Sequence, residues 1–134
     1  MFQVSVEESF AAGHALRGYR GKCENVHGHN YKVRVTLEGS SLNRIGLLVD
    51  FKDLKEAIQT TIQKLDHKFL NDIPPFDVDN PSAENLAKYF HEEVQRLLME
   101  VAQRDPAAAP CAVKQVKVWE TDTTTATYYT DGSA

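Results

Sequence analysis

Two runs of period-two hydrophobicity, separated by a glycine-punctuated polar stretch, constrain this chain more than any other feature. In the first run Phe2, Val4, Val6, Phe10 and Ala12 are apolar and only Glu8 breaks the alternation, as in a strand with one buried face. His14 continues that parity. In the second run Tyr31, Val33, Val35 and Leu37 alternate with Lys32, Arg34, Thr36 and Glu38, and His27 and His29 lie on the parity of the apolar set. Residues 17–25, rich in glycine and polar side chains, read as the intervening loop.

Further along, residues 45–49 form a short apolar run behind a turn-rich segment, and predict a third strand returning as a hairpin partner. Asp50 can cap a helix with Phe51, Leu54, Ile58, Ile62 and Leu65 at three- and four-residue spacing, ending near Asp66 and His67. After Pro74 and Pro75, Asn80 followed by Pro81 predicts an N-cap with proline at the first helical position. Leu86, Phe90, Val94, Leu97 and Val101 mark that second helix's buried stripe. A linker over 105–110 leads to a strand at 113–120, with Val116, Val118 and Glu120 on one face, and a last strand near 126–130. This order lacks the strand-helix alternation of parallel sheets. It predicts an α+β fold, an antiparallel sheet with two helices on one face, in a single domain spanning 1–134. The sheet keeps two edges, so pairing with further copies of the chain is expected.

Composition narrows the partners. Hydrophobic residues make up 42% and charged residues 25%, which excludes a disordered or collagen-like chain. A net charge of -4 gives no basic surplus, so neither nucleic acid nor an anionic membrane is an expected partner. No stretch approaches the roughly 20 apolar residues of a membrane helix. The N-terminus does not read as a signal peptide, and Cys23 and Cys111 lie too far apart to imply a disulfide framework. Both observations point to a reducing, cytoplasmic setting.

The histidines carry the chemistry. Side chains two apart on a strand share a face, so His27 and His29 can converge, with Gly28 removing bulk opposite them. His14 ends the neighbouring strand at matching parity. Three neutral imidazoles suit zinc and leave a fourth tetrahedral position open, as in catalytic sites. Strand-end histidines bonded to water or backbone are the plainer alternative. Cys23, four residues before His27, adds weight to the metal.

The motifs FAAGH at 10–14, GKCENVHGHN at 21–30, LDH at 65–67 and WET at 119–121 resemble those of the 6-pyruvoyl/6-carboxytetrahydropterin synthase family, in the same order. VDF at 49–51, LNDIP at 70–74 and NPSAENL at 80–86 extend the resemblance over nearly the whole chain. It implies a T-fold whose subunits join into a barrel as trimers stacked into hexamers, with Zn2+ as cofactor on His14, His27 and His29. Cys23, Asp66 and His67 would be the catalytic proton-transfer residues, and Glu120, with Thr121 beside it, would anchor the pterin. The implied substrate is 7,8-dihydroneopterin triphosphate, and Arg17, Arg20 and Lys22 are candidates for meeting its phosphates. The short spacing from Cys23 to His27 is similar to that of bacterial 6-carboxytetrahydropterin synthases of the queuosine pathway. The alternatives are a 6-pyruvoyltetrahydropterin synthase and, in another class, a noncatalytic zinc- or pterin-binding assembly.

Overall fold

The protein is described here by a computed structural model covering residues 1–18 and 25–131. Its elements are β1 (Phe2–His14), β2 (His27–Gly39), α1 (Phe51–Gln63), β3 (Lys68–Phe69), a 3-10 turn (Leu70–Asp72), α2 (Ala83–Gln103), β4 (Ala112–Thr121) and β5 (Thr124–Tyr129). They build one five-stranded sheet in the order β3-β1-β2-β4-β5, antiparallel except where the two-residue β3 runs parallel to β1. The expected α+β architecture is present.

Register places Phe10 opposite Tyr31, Ala12 opposite His29 and His14 opposite His27. The first pair forms the hinge between sheet and helices: Phe10 stacks on Tyr31 at 5.0 Å between ring centroids and meets Phe90 of α2 at 5.6 Å. Around them Leu54, Ile58 and Ile62 of α1 and Leu86, Val94 and Leu98 of α2 are buried in one cluster with Val33, Val35, Val116 and Val118. Each such aliphatic or aromatic side chain withdrawn from water stabilises the fold by about 1.5–3 kcal/mol.

Several local expectations are corrected. Residues 45–49 form turns and bends instead of a strand. The Asn43 side chain accepts from the N–H groups of Ile45 and Leu47, both at 3.0 Å, so backbone groups that a ladder would need are already engaged. Helix α2 begins later than expected. Ser82, not Asn80, is the N-cap, its hydroxyl accepting from the Asn85 N–H at 3.2 Å, and Pro81 stays outside the helix. Asp50 does cap α1, accepting from the Lys52 N–H at 2.9 Å, but Phe51 behind it is half exposed. On α2 the buried stripe continues to Leu98, with Leu97 only partly covered.

Two irregularities in β4 decide what its side chains face. Thr36 pairs with Gln115 and Leu37 with Val113, so Lys114 is an extra residue, and Val113 shares the buried face with Val116. At the other end Trp119 pairs with Thr125 and Thr121 with Thr124. Glu120 is therefore the bulged residue between them, and a bulge re-aims the side chain it carries.

Candidate metal centre

The sheet register brings His14, His27 and His29 together at the end of β1 and the start of β2, with ring centroids 4.6–5.0 Å apart. Ala12, the residue opposite His29, is small enough to leave the imidazole room. His14 is fully buried, and its Nδ1–H donates to the Pro81 carbonyl at 2.7 Å, with the Tyr31 hydroxyl oxygen at 3.2 Å. His27 likewise donates from Nδ1 to the Asn25 carbonyl at 2.7 Å. A carbonyl can only accept, so in both neutral rings the proton resides on Nδ1 and the Nε2 lone pair is free.

Those lone pairs meet. His14 Nε2 and His27 Nε2 are 3.1 Å apart, a distance at which two acceptors repel unless a cation or a proton lies between them. Oε1 of Glu120 lies 3.0 Å from His29 Nε2 and 3.8 Å from His14 Nε2. The first contact lacks hydrogen-bond geometry, which leaves His29 Nε2 buried with no hydrogen-bond partner among the described residues. One ligand atom from each of the four residues lies within 4.8 Å of all the others. Tetrahedral ligands at about 2.0–2.1 Å from a zinc-sized ion stand about 3.3 Å from one another, so the separations of 3.0, 3.1 and 3.8 Å suit a His/Glu metal site. An orphaned buried nitrogen and two opposed lone pairs are what a cation resolves. The protein therefore has a cluster that can hold a metal ion.

Electrostatics favour the ligand form. Burial holds the His29 pKa below its ordinary 6.5, opposed by Glu120 and reinforced by His14 and His27, so the ring is kept neutral and ready to donate its lone pair. Burial, and then Glu120, push the Tyr31 phenol upward, keeping it protonated. The two carbonyls behind His14 and His27 are the outer contacts that orient metal-binding imidazoles. Neither Pro81 nor Asn25 could be picked out from sequence, because a backbone carbonyl carries no residue signature.

Of the other expected site residues, those described lie outside this cluster. Asp66 and His67 sit outside the cluster, beside β1: Asp66 Oδ1 accepts from the Ala11 N–H at 3.0 Å, and the His67 N–H donates to the Ala11 carbonyl at 2.6 Å. His67 has φ +58°, an uncommon conformation for a residue with a Cβ, held by that pairing. Its Nε2 is 3.7 Å from Asp66 Oδ2, and its side chain is 81% exposed. With Gly28, His29 and Phe69 it lines a concavity of about 530 Å³. A Cβ on Gly28 would make only an ordinary 3.8 Å contact with the Ala12 carbonyl, so within one chain the expected removal of bulk is not required there. Thr121 is exposed, and its hydroxyl meets that of Thr124 at 2.6 Å across the hairpin. Cys23, Arg20 and Lys22 lie outside the described residues. Arg17, a candidate phosphate contact, instead directs its guanidinium at the carbonyls of Phe76, Asn71 and Asp79.

Comparison with known proteins agrees with the fold. The family model for 6-pyruvoyl tetrahydropterin synthase matches residues 3–131, and the chain belongs to that family. It is 36% identical over 141 residues to human 6-pyruvoyl tetrahydrobiopterin synthase, covering 94% of this chain and 90% of the human one. It is 29% identical over 147 residues to Haemophilus influenzae 6-carboxy-5,6,7,8-tetrahydropterin synthase, covering 96% and 99%. Among solved structures, Caenorhabditis elegans 6-pyruvoyl tetrahydropterin synthase superposes with a TM-score of 0.81 at 26% identity, over 97% of this chain and 96% of that one. The fold is thus the T-fold of these synthases, and the chain is a synthase of pterin metabolism.

Proposed function

We propose that the chain is a zinc-dependent lyase that converts 7,8-dihydroneopterin triphosphate to 6-carboxy-5,6,7,8-tetrahydropterin, releasing acetaldehyde and triphosphate, in the cytoplasmic route to queuosine. The observation that carries the reading is the convergence of three imidazole Nε2 atoms, one of them buried without a hydrogen bond, on a carboxylate. Three nitrogens at this spacing suit zinc, with His14, His27 and His29 as its holders. When bound, zinc supplies Lewis acidity toward the substrate's side-chain oxygens and so acidifies the neighbouring C–H bonds.

The chain's own residues supply the rest. The two oxygens of Glu120 accept the adjacent N–H donors on the pterin's 2-amino-4-oxo edge in a fork, the geometry that makes carboxylates good partners for paired donors. The same carboxylate lies against His29. Cys23, as thiolate, removes the carbon-bound proton. His67, oriented by Asp66, returns a proton at neutral pH. Because His67 is exposed and, among the described residues, the outer strands β3 and β5 are each unpaired along one side, we infer that trimers, stacked into hexamers, cover these edges and complete the site between subunits.

The spacing from Cys23 to His27 favours the carboxy product. The 36% identity to the human enzyme favours the alternative, a pyruvoyl-forming synthase with the same metal and pocket. A noncatalytic binding assembly would not need Cys23, Asp66, His67 and Glu120 together. Product analysis decides: acetaldehyde with a carboxypterin is expected from dihydroneopterin triphosphate, and a pyruvoylpterin without acetaldehyde would transfer the chain to the alternative. Purified protein should hold about one zinc per chain, lost in His27→Ala. Full zinc occupancy after removal of both His27 and His29 would overturn the metal assignment.

A further inference from the structure

Beyond β1 the chain loses its sheet partners, yet its backbone groups are not abandoned. The Ala15 N–H donates to Asn71 Oδ1 at 2.9 Å, and Asn71 Nδ2 donates back to the Ala15 carbonyl at 2.8 Å. Two residues on, the Arg17 N–H donates to Asn80 Oδ1 at 2.8 Å, and Asn80 Nδ2 donates to the Arg17 carbonyl at 2.9 Å. An asparagine amide carries an acceptor and a donor much as a peptide group does, so each side chain stands in for a missing strand. The Arg17 guanidinium adds a bond to the Phe76 carbonyl at 2.7 Å and longer ones to the Asn71 and Asp79 carbonyls at 3.3 and 3.4 Å. Asn80 is itself held, its carbonyl accepting from Asn85 Nδ2 at 2.8 Å in the first turn of α2.

These contacts close a ring through the metal centre. His14 binds the Pro81 carbonyl through Nδ1, Pro81 follows Asn80, Asn80 grips Arg17, and Arg17 leads back through the chain to His14. The Pro81 carbonyl, which can only accept and lies closer to His14 Nδ1 than the Tyr31 hydroxyl does, puts the proton on that nitrogen and leaves Nε2 to offer a lone pair to the cluster. Asn80, the residue before Pro81, is held from two sides, by Arg17 and by Asn85.

We propose that Asn80 is a positioning residue for the metal centre: through its paired bonds to Arg17 it holds the Pro81 carbonyl against His14, and so fixes the tautomer and aim of that ligand. This rests on the reading of His14, His27 and His29 as a zinc site. Zinc affinity by chelator competition, and the His14 tautomer by nitrogen-15 NMR of the metal-free protein, are to be measured in the wild type, Asn80→Ala and Asn80→Asp. Asp retains the acceptor for the Arg17 N–H but lacks the donor to its carbonyl. Loss of an outer contact of this kind weakens metal binding by about 10–100-fold, so we expect that loss in Asn80→Ala and a smaller one in Asn80→Asp. The Nδ1–H form of His14 should give way to a mixture in the same order. A merely structural clamp would lower the melting temperature and leave both readouts unchanged, and that result would overturn the proposal. Should Asn80→Ala not fold, wild-type zinc affinity and an unaltered His14 tautomer in Asn80→Asp would overturn it equally. If instead wild-type protein and His14→Ala bound zinc alike, the metal reading itself would fall.

Discussion

Nε2 of His29 lies 3.0 Å from Oε1 of Glu120 without hydrogen-bonding to it, although the nitrogen is buried. One residue comes from the start of β2, the other from a bulge near the end of β4, and the contact joins the cluster that can hold a metal to the carboxylate proposed to hold the pterin. Glu120→Gln tests which role dominates. Three imidazoles remain in the variant, so zinc should stay near one per chain. Loss of a charge-assisted fork should weaken pterin binding by about 1.5–3 kcal/mol, roughly 10- to 150-fold. Calorimetric titration with a dihydropterin, alongside metal analysis, reads both. Unchanged pterin affinity with zinc lost would make Glu120 a metal ligand alone.

The proposed base should fail differently from the proposed anchor. Cys23→Ala keeps the cluster and Glu120, so the pterin should still bind while single-turnover rates fall by about 10²- to 10⁴-fold, the usual effect of a lost general base. Near-normal turnover would move that role to His67.

His67 can be removed without disturbing its backbone, since asparagine tolerates the left-handed conformation that φ +58° requires. His67→Asn should therefore keep its melting temperature within a few degrees and its zinc, and lose most turnover. Retained activity would show that the left-handed turn serves only to dock the chain on Ala11.

A second buried histidine predicts how stability depends on pH. His91 of α2 is 8% exposed, its Nε2 has no hydrogen-bond partner among the described residues, and its ring meets Tyr128 edge-on at 5.0 Å. Burial holds its pKa below the ordinary 6.5, against the opposing influence of the Val113 backbone and Glu92. The unfolded chain thus takes up a proton before the folded one does, and the contribution is complete above about pH 6.5 and declines as pH falls toward the lower folded value. In urea titrations His91→Phe should lose less stability than the wild type between about pH 7 and pH 5. Equal losses in the two proteins would show that His91 is not the group responsible.

Much of this was legible in the sequence because period-two and helical spacing report which side of an element is buried. The parity of His14, His27 and His29 with Phe10 and Tyr31 survives intact in the sheet. Two of the misreadings share one cause. At 45–49 and at Asn80, side-chain amides compete with regular structure for backbone hydrogen bonds, and apolar pattern is blind to that competition.

By itself, then, the sequence determined the α+β class, the shared face of the three histidines and the family, since each follows from residue type at a set spacing. The tertiary structure decided the rest. The β1–β2 register set His14 across from His27, a bulge turned Glu120 toward them, and the Pro81 and Asn25 carbonyls selected the imidazole tautomers. Those outcomes depend on backbone groups and on pairings across up to 67 residues of chain, and neither is written in the identity of any single residue.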